Sequence, residues 1–168
     1  MTFSIYQASV PRMVRQLSNL SAILSKATAH AAAHNIEQSA LLQARLFPDM
    51  FPMGRQVQIA CDMAKGCAAR LAGVENPKHP DTEQSFEELQ LRIQKVIDFL
   101  HSLPEAAFDG AENRSITVKV AGGGERTTTG ADYLMHFGWP NLHFHATTAY
   151  ALLRHNGVPV GKGDYLGA

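Results

Sequence analysis

The sequence predicts an all-α protein: a four-helix bundle with one small β-hairpin before the last helix. Three observations carry this. Apolar residues recur at helical spacing in four long segments, one stretch near residue 116 alternates with strand period, and most connections are modest in length. With 168 residues, 45% hydrophobic and 18% charged, the chain suits one domain over 1–168 with a sizeable core.

The first segment runs from about Tyr6 to His34. Val10, Met13, Val14, Leu17, Leu20 and Leu24 form its stripe, Pro11 is expected in the first turn, and Asn35 is a plausible stop. Leu41, Leu42 and Leu46 mark a short helical piece, broken by Pro48 and Pro52, each of which disfavours helix in the residue before it. The second segment spans about Met53 to Leu71. Val57, Ala60, Cys61, Ala64, Ala68 and Leu71 form a small-sided apolar stripe beside a polar one of Arg55, Gln58, Asp62 and Lys65, and Gly73 ends it. The third starts after the cap signal Asp81-Thr82 and runs to about Leu103, with Phe86, Leu89, Ile93, Val96, Ile97 and Leu100 inward and Pro104 as the stop.

Ile116, Val118 and Val120 then alternate with polar residues, and Gly122-Gly123-Gly124 gives a turn, so a hairpin is expected between about Arg114 and Thr129. No Gly-Lys-Ser/Thr follows the glycines, which excludes a phosphate loop. The fourth segment spans Gly130 to Asn156, with Phe137, Phe144, Ala151 and Leu152 marking its inward side. Pro140 must kink or interrupt it near His136, because proline donates no N–H. The glycine-rich tail, Val158 to Ala168, is expected to be extended.

The formal net charge is zero and the basic residues are scattered, so nucleic acid is not an expected partner. No apolar run is long enough to cross a bilayer, and Met1 to Val10 lacks the pattern of a signal peptide; a cytoplasmic protein with no membrane partner is expected. Cys61 and Cys67, roughly 9 Å apart along a helix axis, are expected to be reduced and buried.

Four of the eight histidines fall between His136 and His155, which invites a metal hypothesis. Helical chelation needs an i,i+3 or i,i+4 pair. His143 and His145 are two apart, and His136 and His143 lie roughly 10 Å apart along the axis. Asn141 and His145 do share a face, but Asn is a poor zinc ligand. That pair suits a hydrogen-bond network or a small polar ligand; the plainer alternative is a core histidine satisfied by another helix. His136, His143 and His155 read as surface or helix-end residues, His155 being favoured at a helix C-terminus.

Several stretches carry a resemblance: Tyr6-Gln7-Ala8-Ser9-Val10-Pro11, Pro48-Asp49-Met50-Phe51-Pro52 with Gln56-Val57-Gln58, and an ending of Pro140-Asn141, Phe144-His145, Thr147-Thr148-Ala149-Tyr150-Ala151 and Leu153-Arg154-His155-Asn156-Gly157-Val158. Over nearly the whole chain the sequence resembles an uncharacterised bacterial family in the DinB/YfiT-like superfamily of four-helix bundles. The resemblance implies a DinB-like bundle, in a superfamily that includes metal-dependent thiol transferases and a maleylpyruvate isomerase. The usual metal set there is one His on the second helix and His-x-x-x-His on the fourth. In this chain His145 takes the place of the last His, Asn141 the place of the one before it, and the second segment has no His, with Gln58 and Asp62 as the nearest candidates.

Three readings of function follow. The first is a bundle that binds a small polar ligand between helices, lined by Gln58, Asp62, Asn141 and His145, with no metal or other cofactor. His145 is then the natural acid or base, oriented by Asp62 with its pKa raised. The second is a non-catalytic homodimeric interaction protein anchored by Phe51, Met53, Trp139 and Phe144. The third is a divergent metal-dependent transferase or isomerase using the Asp/Asn/His set.

Overall fold

The computed structural model describes residues 4–119 and 122–168. Helix α1 (Ile5–Ala33) starts at Ser4, whose hydroxyl accepts the Gln7 N–H at 3.1 Å, and ends before Asn35, which adopts a left-handed conformation. Because the helix starts at Ile5, Pro11 lies in the second turn and not, as expected, in the first. Short α2 (Gln38–Leu42) leads through the Pro48 and Pro52 stretch into α3 (Met53–Ala72). Gly73 closes α3 with φ at 71°, where a side chain would be strained. Helix α4 (Phe86–Ser102) is capped by Ser85, whose hydroxyl accepts the Glu88 N–H. The Asp81-Thr82 cap signal is therefore displaced by four residues; Asp81 is drawn instead to two arginines.

Two 3₁₀ turns precede the hairpin of β1 (Ser115–Lys119) and β2 (Glu125–Thr129), paired antiparallel with Lys119 opposite Glu125. Ile116 and Val118 point into the core, as alternation requires; Val120 lies outside the described residues.

The last long segment is not one α-helix. Helix α5 (Gly130–Tyr133) passes into a π-helical turn, Leu134–Gly138, and then into α6 (Trp139–His155). Pro140 sits at the start of α6, where a missing N–H is tolerated, and the Trp139 N–H reaches back five residues to the Leu134 carbonyl. The interruption expected at Pro140 is thus taken up by a π turn. Helix α7 (Lys162–Leu166) replaces the extended tail that glycine content suggested. It is held on α1 by a Lys26–Asp164 ion pair at 2.6 Å and by Asn19, which donates to the Tyr165 carbonyl at 3.1 Å.

Helices α1, α3, α4 and α6 form the bundle around a continuous core that includes Leu17, Leu24, Val57, Ala64, Leu89, Val96, Leu142 and Ala149. Helices α3 and α6 run antiparallel, with Gln56 opposite His145 and Cys67 opposite Gly138. A Cβ on Gly138 would lie 2.5 Å from the Cys67 sulfur, so the missing side chain sets how closely these helices approach. Cys61 and Cys67 are buried free thiols, each pushed up to about 12 by burial. Among the described residues, no helix is long and apolar enough to cross a membrane.

Candidate functional site

The four residues expected to line one pocket fall into two neighbourhoods. His145 meets Gln56, not Asp62: its Nδ1 lies 2.7 Å from the Gln56 side-chain oxygen. Gln56 is buried, and its amide nitrogen donates to the Phe51 carbonyl at 3.1 Å. That bond fixes the amide orientation, so Nδ1 must carry the proton and Nε2 the lone pair. Burial lowers the His145 pKa, and the positive charge of Arg55 lowers it further. This reverses the expected rise, which required Asp62 as partner. Asn141, also expected here, turns its amide onto the Phe137 carbonyl at 2.8 Å, one turn back along its own chain. On its Nδ1 side, then, His145 is a histidine satisfied by another helix.

Gln58 and Asp62 belong to a different cluster, organised by Arg92 of α4. That guanidinium is 1% exposed and reaches Asp62 at 3.0 Å, Asp81 at 2.9 Å and Glu83 at 3.0 Å, and donates to the Pro80 carbonyl at 3.0 Å. Burial pulls its pKa down, but the hydrogen bond to Glu83 and the charges of Asp62 and Glu83 carry the net direction upward. Lys65 pairs with Asp62 at 3.2 Å and donates to the Pro77 carbonyl at 2.6 Å. Gln58 donates to Glu83 at 2.9 Å and accepts from Arg55 at 3.1 Å, while Arg55 pairs with Asp81. The polar stripe of α3 is thus bonded to the segment between α3 and α4, with Arg55, Asp62 and Asp81 each still about one-third exposed. A buried charge is tolerated only when paired in this way.

Asp62 also borders a cleft of about 430 Å³ between α3, the hairpin and the π turn. Met63 and Arg70 join it from α3, Lys119 and Glu125 from the hairpin, and Tyr133 and Phe137 from the last segment. Arg70 donates to the Tyr133 hydroxyl at 3.4 Å, and burial pushes that phenol up to about 12. Lys119 and Glu125 are cross-strand neighbours, both exposed, with no ion pair between them among the described residues. The cleft therefore presents charges of both signs beside a neutral hydroxyl and an aromatic ring.

Two expectations about side-chain direction are corrected. Phe144, expected inward, is 56% exposed, because the buried face of α6 is Leu142, Ala146, Ala149, Leu152 and Leu153. Met53, expected as a surface anchor, is fully buried, and Trp139 is half-buried with its indole N–H on the Ala8 carbonyl at 3.2 Å. Sequence reasoning missed Gln56 and Arg92. Gln56 stands four residues before Ala60, inside the apolar stripe, and a polar residue there signals a buried partner. Arg92 stands beside Ile93 on the inward side of the third segment and carries the same signal.

The residues present do not fit the three-His metal set that the resemblance implies. His145 has an amide where a second imidazole would stand, Asn141 is committed to backbone, and the Gln56 oxygen is committed to His145. Among the described residues, no three His, Cys, Asp or Glu side chains come together in a way that could hold an ion.

Residues 5–166 match the domain of unknown function DUF1993, and the chain belongs to that family. It is also 43% identical to a DinB family member from Shewanella denitrificans of known crystal structure. That match covers 98% of this chain and 92% of the other, with a TM-score of 0.90. The DinB-like bundle implied by the sequence is the fold of this protein. No functionally curated protein matches the chain.

Proposed function

We propose that this DUF1993 protein binds a small polar molecule bearing both a cationic and an anionic group, in the cleft between α3, the hairpin and the π turn. The observation that supports this is the cleft wall itself. Asp62 and Glu125 offer acceptors to a cation, Arg70 and Lys119 offer donors to an anion, and Phe137 gives an apolar face, within about 430 Å³. A π turn at the rim is a common feature of ligand sites, because it re-aims side chains that a regular helix would turn away. Of the four residues expected to line a pocket, Asp62 is the one that borders this cleft. His145 stands two helical turns beyond Phe137, so an acid–base role for it needs a substrate that reaches the α3–α6 seam. The three-His metal set has no part in this reading.

The test is a thermal-shift screen of zwitterionic metabolites against the wild type and the exposed-rim variants Lys119→Ala and Glu125→Ala. At a hundredfold excess over Kd a true ligand should raise Tm by about 5–10 °C, and each rim variant should shrink that shift. A screen with no shift, or a shift that both variants retain in full, contradicts the reading.

One observation favours a second reading, that the α3–α6 seam pairs with another copy of the chain. Phe51 and Phe144 are 55% and 56% exposed and flank the Gln56–His145 pair: the Phe51 carbonyl holds Gln56, and the Phe144 ring meets His145 edge-on at 5.2 Å. Sedimentation of the wild type and Phe144→Ser tests it. A dimer that the variant dissociates supports the reading, and a monomeric wild type removes it.

A further inference from the structure

A second concavity shares no lining residue with the cleft and owes nothing to the reading above. It is a groove of about 910 Å³ between α1, the start of α6 and α7. Its walls are already tied in place. Asn19 donates to the Tyr165 carbonyl at 3.1 Å, and Arg15 to those of Leu166 at 3.0 Å and Gly167 at 3.4 Å. The Tyr165 hydroxyl meets His143 at 3.2 Å and Thr147 at 3.0 Å. Trp139 and His143 stack with ring centres 5.0 Å apart and planes 19° from parallel. Burial lowers the His143 pKa, which favours its neutral form at pH 7.

Against this order one group is out of place. Gln16 of α1 is only 7% exposed, lines the groove, and has no side-chain hydrogen-bond partner among the described residues. Its amide atoms still reach solvent in the groove, so they can exchange water for a ligand group without breaking a bond inside the protein. The groove beside it carries Arg12 and Arg15, and no aspartate or glutamate side chain lines it. Each Arg15 bond to α7 uses Nη2, which leaves its Nη1 and Nε hydrogens for a further acceptor. The opposite wall is apolar and flat, made by Met135 and the Trp139 indole.

We propose that this groove binds a planar aromatic carboxylate, its ring against Trp139 and Met135 and its carboxylate received by the Gln16 amide and Arg15. Gln16 donates through its NH₂ to one carboxylate oxygen, and Arg15 donates to the other. The ring takes the space that the indole leaves open, where stacking of aromatic faces is favourable. A compact phosphate has no ring to occupy that wall.

Trp139 is the only tryptophan of the chain, so its fluorescence reports on this groove alone. Benzoate is the probe, benzamide its neutral isostere, and inorganic phosphate the anion without a ring. The expected result is a saturable change in tryptophan emission with benzoate, with benzamide at least about tenfold weaker and phosphate unable to compete. Gln16→Leu should weaken benzoate by about tenfold while leaving the Tm of the unliganded protein unchanged, because the amide bonds to no other group among the described residues. A structural glutamine would instead give a lower Tm. Arg15→Gln should weaken benzoate by a similar factor and leave benzamide unaffected. Equal binding of benzoate and benzamide, competition by phosphate, full affinity in Gln16→Leu, or no saturable change into the millimolar range would each overturn the proposal.

Discussion

Two polar regions of this protein sit on the same helix and behave in opposite ways. Along the face of α3 that meets α4, every charge is answered: Arg92 holds three carboxylates, and Lys65, Arg55 and Gln58 complete the set. Along the face that meets the hairpin and the π turn, charges of both signs line a cleft, and the cross-strand neighbours Lys119 and Glu125 do not pair. The first arrangement closes a loop onto the bundle. The second leaves donors and acceptors turned toward a space. Asp62 belongs to both, which is why a stripe of polar residues on α3 did not by itself say what it was for.

The difference can be broken at its strongest point first. Arg92→Leu removes the one ion-pair partner of Glu83 among the described residues and the cation it shares with Asp62 and Asp81. It should cost about 3 kcal/mol of stability, the low end for a broken buried pair because Asp62 and Asp81 are partly exposed and keep Lys65 and Arg55. Chemical denaturation reads this directly. Gly138→Ala comes next: its Cβ would press on the Cys67 sulfur where α3 and α6 meet, and should cost about 1–3 kcal/mol. If Cys67→Ala restores most of that loss, the close approach is the cause.

A smaller effect separates the partner that His145 has, Gln56, from the one expected, Asp62. In double-mutant cycles Gln56 and His145 should couple by about 1 kcal/mol, through the 2.7 Å hydrogen bond. Asp62 and His145 should be additive within about 0.5 kcal/mol. Coupling of Asp62 and no coupling of Gln56 would reverse the assignment.

The smallest effect is a pH dependence. The folded His145 pKa lies below its ordinary value of 6.5, so between the two values the unfolded chain binds more protons than the folded one. Its contribution to stability is therefore whole above pH 6.5 and is lost as pH falls from there to the folded pKa. His143 and His79 are shifted in the same direction, chiefly by burial, and add to the slope. The difference between wild type and His145→Gln isolates one residue. If that difference is independent of pH, the ring is not held neutral.

Much of the fold was legible because helical periodicity and breaker residues are local signals. The stripe of α3, the stop at Gly73 and the alternation of Ile116 and Val118 act within a few residues of themselves. The candidate site was less legible because its partners come from elsewhere in the chain. Nothing near Asp62 announces that Arg92 lies thirty residues on, and nothing near His145 announces Gln56. Phe144 was misplaced because the buried face of α6 runs through Leu142, Ala146, Ala149 and Leu153, and Phe144 stands two residues from the first of these. The tail was misread because its glycine content hid Tyr165, whose contacts with His143 and Thr147 help seat α7.

The central claim is that the cleft beside the hairpin is a ligand site while the Arg92 cluster is architecture. The most direct measurement is chemical-shift mapping of the isotope-labelled protein with the best zwitterionic metabolite from the thermal screen. Saturable shifts are expected to be largest at Tyr133, Phe137, Lys119 and Glu125, smaller at Arg92 through the shared Asp62, and absent at the Gln56 side chain. Shifts centred on Arg92 or on the α3–α6 seam, with the cleft silent, would contradict the claim.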